Sequence, residues 1–312
     1  MKKKSCIVIA GLIIAVFFWA SKSYAQDPAK VVVIKSLEGN PCDLVIEGIK
    51  NYLIAVSLEA QIQQYSLAGI SPEQQDEIFA EINYKKPSIV ISVGTAATKY
   101  ARQSISGIPV VFTMVLNPER SNISPPGSSL DISFELKLNK LKQVLPEVKT
   151  LGVIYSSESE QLYTDLFAAC RKSGIDLIGA QIESNQEFPQ ALKKILPAID
   201  CFIMISDSKI YFPKAVEHLL LDCLRMKVPV MGLSSQYTKA GALLSLDCDY
   251  HDLGMQTAEI VYKIINEGKK VKDLEIVNPR RVNLSLNLLI AKRLNIKINE
   301  KIAEEADRIF GR

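Results

Sequence analysis

From residue 29 onward, short apolar runs alternate with stretches whose apolar positions recur every three or four residues. That alternation predicts strand followed by helix, repeated to the end of the chain. Val31, Val32, Val33 and Ile34 form the first run, and a turn at Gly39-Asn40-Pro41 leads into a helix over 43–56. The next strand, 61–65, is more polar than its neighbours. Ser71-Pro72-Glu73-Gln74 then has the chemistry of a helix start. Its serine accepts a free backbone N–H, its proline suits the first helical position, and its glutamine closes a capping box. Strand 89–93, helix 96–105 and strand 110–115 follow, then an irregular Pro125-Pro126-Gly127-Ser128-Ser129 segment and a helix over 134–145 stopped by Pro146. The second half predicts strands at 151–155, 176–182, 201–205, 228–231 and 242–246, with weaker ones at 274–277 and 282–286. Helices fill the intervals at 161–172, 188–196, 215–226, 253–266 and 288–294, and the charged segment 300–312 reads as a solvated terminal helix.

Several strands are unbroken Val/Ile/Leu/Phe runs rather than alternating ones. Such strands are buried on both faces, the condition of parallel sheets covered by helices. The predicted fold class is therefore α/β with doubly wound parallel sheets, which take ligands in the crevice beyond the carboxyl ends of their strands. The chain exceeds what one hydrophobic core usually organises, so two lobes are expected.

Residues 1–25 stand apart from this pattern. Lys2, Lys3 and Lys4 precede an apolar run over 7–20, and Ser23-Tyr24-Ala25 supplies a small-x-small ending. This is the layout of a cleaved secretory signal peptide, and the apolar run is shorter than the ~20 residues of a membrane-spanning helix. The mature protein is thus expected in the periplasm or otherwise outside the cytoplasm. Cleavage removes four of the 37 basic residues and none of the 34 acidic ones, leaving a net charge of −1. A near-neutral chain gives no electrostatic footprint for nucleic acid. Cys6 leaves with the leader, and Cys42, Cys170, Cys201, Cys223 and Cys248 remain, an odd set without a C-x-x-C pair. They read as small buried hydrophobes.

In parallel sheets the loops after the strands carry the chemistry. Here they are rich in small hydroxyl residues: Gly94-Thr95-Ala96-Ala97-Thr98, Thr113 with Asn117-Pro118, Ser156-Ser157-Glu158, Asp207-Ser208 and Ser234-Ser235-Gln236-Tyr237. Small residues at a helix start leave N–H groups open to an anion such as a carboxylate, while Glu158 or Asp207 suits an ammonium. The set fits a zwitterion, although capping is the commonest job of each such residue alone. Catalysis finds less to stand on. The two histidines, His218 and His251, belong to no metal-binding motif, and there is no G-x-S-x-G elbow, Walker loop or G-x-G-x-x-G. Asp247-Cys248-Asp249 places two carboxylates at a strand end, read as a ligand or hinge contact before an acid/base pair. Neither a cofactor nor a metal is expected.

Several segments together carry a family resemblance. They are Gly107-Ile108-Pro109-Val110-Val111-Phe112-Thr113 continuing to Asn117-Pro118, Thr95-Ala96-Ala97, and Leu151-Gly152-Val153-Ile154-Tyr155. A longer match runs from Val228-Pro229-Val230 through Gly241-Ala242-Leu243 to Asp249-Tyr250 and Leu253-Gly254-Met255-Gln256-Thr257-Ala258. With them, residues 30–296 resemble the ABC-transporter substrate-binding family of tryptophan- and tyrosine-type receptors, a branch of the type I periplasmic binding fold. The resemblance implies two Rossmann-like lobes joined by three crossovers, lobe 1 over 28–119 plus 242–270 and lobe 2 over 120–241 plus 271–312. It implies ligand contacts from Thr95, Ala96, Thr113 and Asn117 on one side and Ser156, Glu158, Asp207, Ser234 and Tyr237 on the other; Asp247 joins them as a strand-end contact. Asn117 stands where the family usually has aspartate, which removes a negative charge near the ligand. The expected function is capture of a small polar solute, an amino acid or similar, by a monomer that partners an ABC permease. The alternative is a periplasmic sensing subunit feeding a membrane signalling protein.

Overall fold

The structure is a computed structural model that describes residues 27–36, 38–207 and 209–311; the expected leader over 1–25 and Ser208 lie outside them. The chain opens with β1 (Ala29–Lys35), α1 (Asn40–Ala55), β2 (Ala60–Ser66), α2 (Pro72–Lys85), β3 (Ile89–Val93), α3 (Thr95–Ser104), β4 (Val110–Val115) and β5 (Gly127–Ser129). It continues through α4 (Phe134–Val144), β6 (Thr150–Tyr155), α5 (Glu160–Ser173), β7 (Asp176–Gln181), α6 (Phe188–Ile195), β8 (Cys201–Ile203), α7 (Pro213–Arg225), β9 (Val230–Gly232), α8 (Ser235–Ala240) and β10 (Leu244–Cys248). It ends with α9 (Tyr250–Ile265), β11 (Ile276–Val277), β12 (Val282–Asn287), α10 (Leu288–Arg293), α11 (Glu300–Glu304) and β13 (Arg308–Phe310).

The strands form two sheets, one ordered β11-β5-β4-β3-β1-β2 and the other β13-β12-β10-β9-β8-β6-β7. All neighbours are parallel except β10 and β12. The doubly wound reading follows directly from burial. Val31 and Val33 pack into one core of the first lobe while Val32 and Ile34 pack into the core on the opposite face. In the second lobe, Cys201 and Ile203 part from Phe202 and Met204 in the same way. The polar β2 lies at a sheet edge, where one flank has no strand to cover it. Ser71 caps α2 as its residue types foretold: its hydroxyl accepts from Gln74 N–H while the Gln74 side chain accepts from Ser71 N–H.

The chain passes between lobes three times, at β5 to α4, β10 to α9 and β11 to β12. Sheet membership departs from the expected lobe boundaries at each crossing. Leu244–Cys248 pairs in the second sheet, while Gly127–Ser129 and Ile276–Val277 pair in the first. The chain enters β12 straight from β11, with no helix to turn it round. β12 therefore starts at the crossing and runs antiparallel to β10. The terminal segment is also not one solvated helix: after α11 it becomes β13, paired with β12.

The return of α9 onto α1 closes the first lobe. A Cβ on Gly48 would lie 2.0 Å from His251 carbonyl oxygen, and one on Gly254 would lie 2.1 Å from that of Val45. Only hydrogen side chains let the two backbones approach so closely. Gly48→Ala or Gly254→Ala is expected to destabilise the protein by about 2–3 kcal/mol through overpacking. Differential scanning calorimetry should show the unfolding midpoint falling by roughly 5–10 °C.

Candidate ligand-binding cleft

The three crossings leave from the carboxyl ends of β5, β10 and β11, so the loops after the parallel strands of both sheets border the same cleft. At its crossing side lies a cavity of about 760 Å³. Its walls come from the segment after β4, from the first crossing with the opening turn of α4, from α5, and from the ends of β8 and β9.

In the first lobe, Thr95 and Ala96 open α3, half-buried and exposed respectively, behind Gly94 at a positive φ of 90°. The nearby Ala97 N–H is already taken by Ser36 Oγ at 3.1 Å, which reduces what this helix start offers to an anion. Asn117, also at positive φ, lines the cavity. Thr113 does not face the cleft: it is fully buried, and its hydroxyl accepts from Ser128, which in turn meets Thr257 at 2.6 Å. That chain of hydroxyls ties β4, β5 and α9 together.

In the second lobe, Asp207 organises its loop. Its Oδ2 accepts from Ser156 N–H at 3.0 Å, from Ser156 Oγ at 2.7 Å and from the Ser159 hydroxyl, and its Oδ1 accepts from Lys209 N–H at 2.9 Å. Asp207 and Ser156 are buried, so both act first as a brace. Glu158 is exposed and paired with Lys209 at 3.2 Å. Ser234 is the N-cap residue of α8, and Tyr237 packs its Cβ side against Gly232. Asp247 accepts from Ser235 N–H at 2.8 Å. Burial raises its carboxyl above the ordinary range, against the pull of that N–H and of Arg308. Asp249 caps α9 through Asp252 N–H at 3.1 Å. The two carboxylates of the Asp247-Cys248-Asp249 segment thus hold different helix starts rather than each other.

Asn117 is the one expected contact that reaches the cavity wall, and there it meets residues the sequence did not single out as contacts. Its N–H donates to both carboxylate oxygens of Asp131, at 3.0 and 3.2 Å. Desolvation raises the Asp131 carboxyl, opposed by this N–H and by Lys137. Lys137, in the opening turns of α4, places its ammonium 5.0 Å from the centre of the Phe134 ring. Its side chain is half-buried along its length, while the desolvation of the ammonium itself pulls its pKa down to about 8. Nothing in the local pattern of 134–140 separates Lys137 from the lysines on the solvated face.

Among the described residues, no group of three or more His, Cys, Asp or Glu is placed to hold a metal, and no helix is long and apolar enough to cross a membrane. The five cysteines Cys42, Cys170, Cys201, Cys223 and Cys248 are free and buried, as small hydrophobes. Burial pushes the thiols up, Cys170 to about 11 and Cys201 and Cys248 to about 12.

The profile of the family described as ABC transporter substrate binding protein matches residues 30–310. A tyrosine-binding protein of Clostridioides difficile (strain R20291) is 21% identical over 224 residues, covering 68% of this chain and 64% of that protein. The chain thus spans less than two thirds of that relative's length. The ligand-free, open structure of a Clostridium difficile substrate binding protein with adhesive properties superposes with a TM-score of 0.76 at 19% identity, over 91% of this chain and 100% of that one. An ABC domain from Streptococcus pneumonia in complex with L-Trp gives 0.61 at 20% identity, over 90% and 99%. The fold is that of type I periplasmic binding proteins.

Asp207→Ala strands four donors in a buried loop and is expected to cost about 2–4 kcal/mol, read as a lowered midpoint in urea unfolding. The five buried thiols should resist iodoacetamide in the native protein and react once it is unfolded, as peptide mass spectrometry will resolve site by site.

Proposed function

The chain belongs to the ABC transporter substrate-binding protein family, whose members bind and do not catalyse, and we propose that it captures a small polar solute outside the cytoplasmic membrane and delivers it to an ABC permease. The observation that carries this reading is the cavity of about 760 Å³, walled by both lobes beside the crossings. That volume lies within the range of small-molecule sites. Rotation of the lobes about the crossings would narrow the cleft and bring Ser156, Glu158, Asp207, Ser234 and Tyr237 towards Thr95, Ala96 and Asn117. A ligand favours that state by the contacts it makes in both lobes at once. The leader expected over 1–25 supports export. The similarity to a tyrosine-binding protein and to a domain bound to L-Trp makes amino acids the first class to try.

The test is thermal unfolding of the purified protein against L-tyrosine, L-tryptophan, the other amino acids, short peptides, nucleosides and organic acids. A ligand at ~1,000 times its dissociation constant adds ~4 kcal/mol. The midpoint should then rise by roughly 5–10 °C for one chemical class, with the compound recovered unchanged. Consumption of the compound, or no rise with any member of the panel, would overturn this function.

A further inference from the structure

We propose that Lys137 receives the carboxylate of the captured solute at the crossing side of the cleft, so that the protein selects carboxylate-bearing solutes over their neutral counterparts. This role rests on the receptor function above and adds to it the chemical group that is recognised and the residue that recognises it.

Lys137 lies where a cation is otherwise unfavourable. The opening turns of α4 carry the positive end of the helix dipole, which disfavours an ammonium and favours an anion. The ammonium lies over the Phe134 ring, and the residue lines the cavity. An ammonium has three donors and no acceptor. Among the described residues the Lys137 ammonium makes no hydrogen bond and no ion pair within 4.0 Å. Asp131, the carboxylate that acts on it most, accepts from Asn117 N–H and lies beyond ion-pair distance of the ammonium. The other cations of the wall are already provided for: Lys172 pairs with Glu135 at 3.5 Å, and Arg120 is exposed to water. The Phe134 ring beneath the ammonium offers it no hydrogen-bond acceptor, and a carboxylate entering the cavity supplies one in a charge-assisted bond.

The test follows the Lys137 side-chain resonance in protein labelled with 13Cε-lysine, assigned by its loss in Lys137→Met, together with the thermal midpoint. The probes are the twenty L-amino acids and their amides, 3-phenylpropionate and 3-phenylpropionamide, and neutral sugars and nucleosides. At least one carboxylate should move the resonance saturably and raise the midpoint, and its amide should bind about 10- to 100-fold more weakly. Lys137→Met should lose a similar factor while its ligand-free midpoint stays level or rises, since a desolvated charge has been removed. The charged groups that line the cavity with Lys137 are Asp131, Glu135, Asp165 of α5, Lys172 of α5, and Glu119 and Arg120 after β4. Because the bound state holds the proton, affinity should fall by up to about tenfold per pH unit above the free ammonium's pKa, and Lys137→Arg should abolish that fall. An amide that binds as well as its acid, or unchanged binding in Lys137→Met, would overturn the role of Lys137. A neutral solute that raises the midpoint while no carboxylate moves the resonance leaves the receptor function standing and removes this role. Silence in both readouts across all probes removes both.

Discussion

The backbone contact between α1 and α9 is what the two-lobed arrangement depends on. After β10 the chain leaves the second sheet, and it must be caught by the first lobe for the crossings to lie side by side. Gly48 and Gly254 let the helices meet backbone to backbone, with Leu253, Ala258 and Val261 buried against Val45 and Ile49. From α9 the polar links then reach the other two crossings. Thr257 meets Ser128 on β5, and Gln256 donates to Asn278 carbonyl at 3.0 Å and accepts from Arg280 N–H at 3.2 Å. Arg280 grips Asp252 through Nε and Glu259 through Nη1. One helix therefore anchors all three passages between lobes, and the cleft inherits its position from it.

Within that frame the polar groups fall into two kinds. Those with partners in their own lobe serve the scaffold. Asp207 gathers the Ser156 loop, Asp247 and Asp249 hold helix starts, and Thr113 is bonded inside a sheet. Buried polar groups need partners, and most find them locally. Those left with open donors at the cavity wall are the ones a solute can engage, and Lys137 is the clearest among them. The cavity wall is asymmetric, with the Lys137 ammonium on the second lobe beside the first crossing.

Asn117 meets a carboxylate from another place in the chain. Asp131 sits against Asn117 N–H, so a carboxylate stands at this part of the wall although residue 117 does not supply one. The positive φ of Asn117 turns its N–H towards the crossing, a conformation that asparagine tolerates better than most residues. That carboxylate comes from fourteen residues later, through a contact that spacing along the chain does not disclose.

What the sequence determined by itself was the local and the two-sided. Hydroxyl, proline and glutamine at 71–74 set a helix start because every partner lies within one turn, and the runs at 31–34 and 89–93 demanded cover on both faces wherever they lay. The family motifs carried the number of lobes and crossings. Tertiary structure alone decided which sheet each run joins, since the apolar face of 244–248 suits either core. It also made a strand of Gly127–Ser129, where the Phe112 ring fills the space that a side chain on Gly127 would need. It paired Arg308–Phe310 with β12 instead of extending a charged helix. And it set Lys137 apart from its neighbouring lysines, because lining a cavity with no acceptor in reach depends on what surrounds an ammonium, not on the residues beside it in the chain.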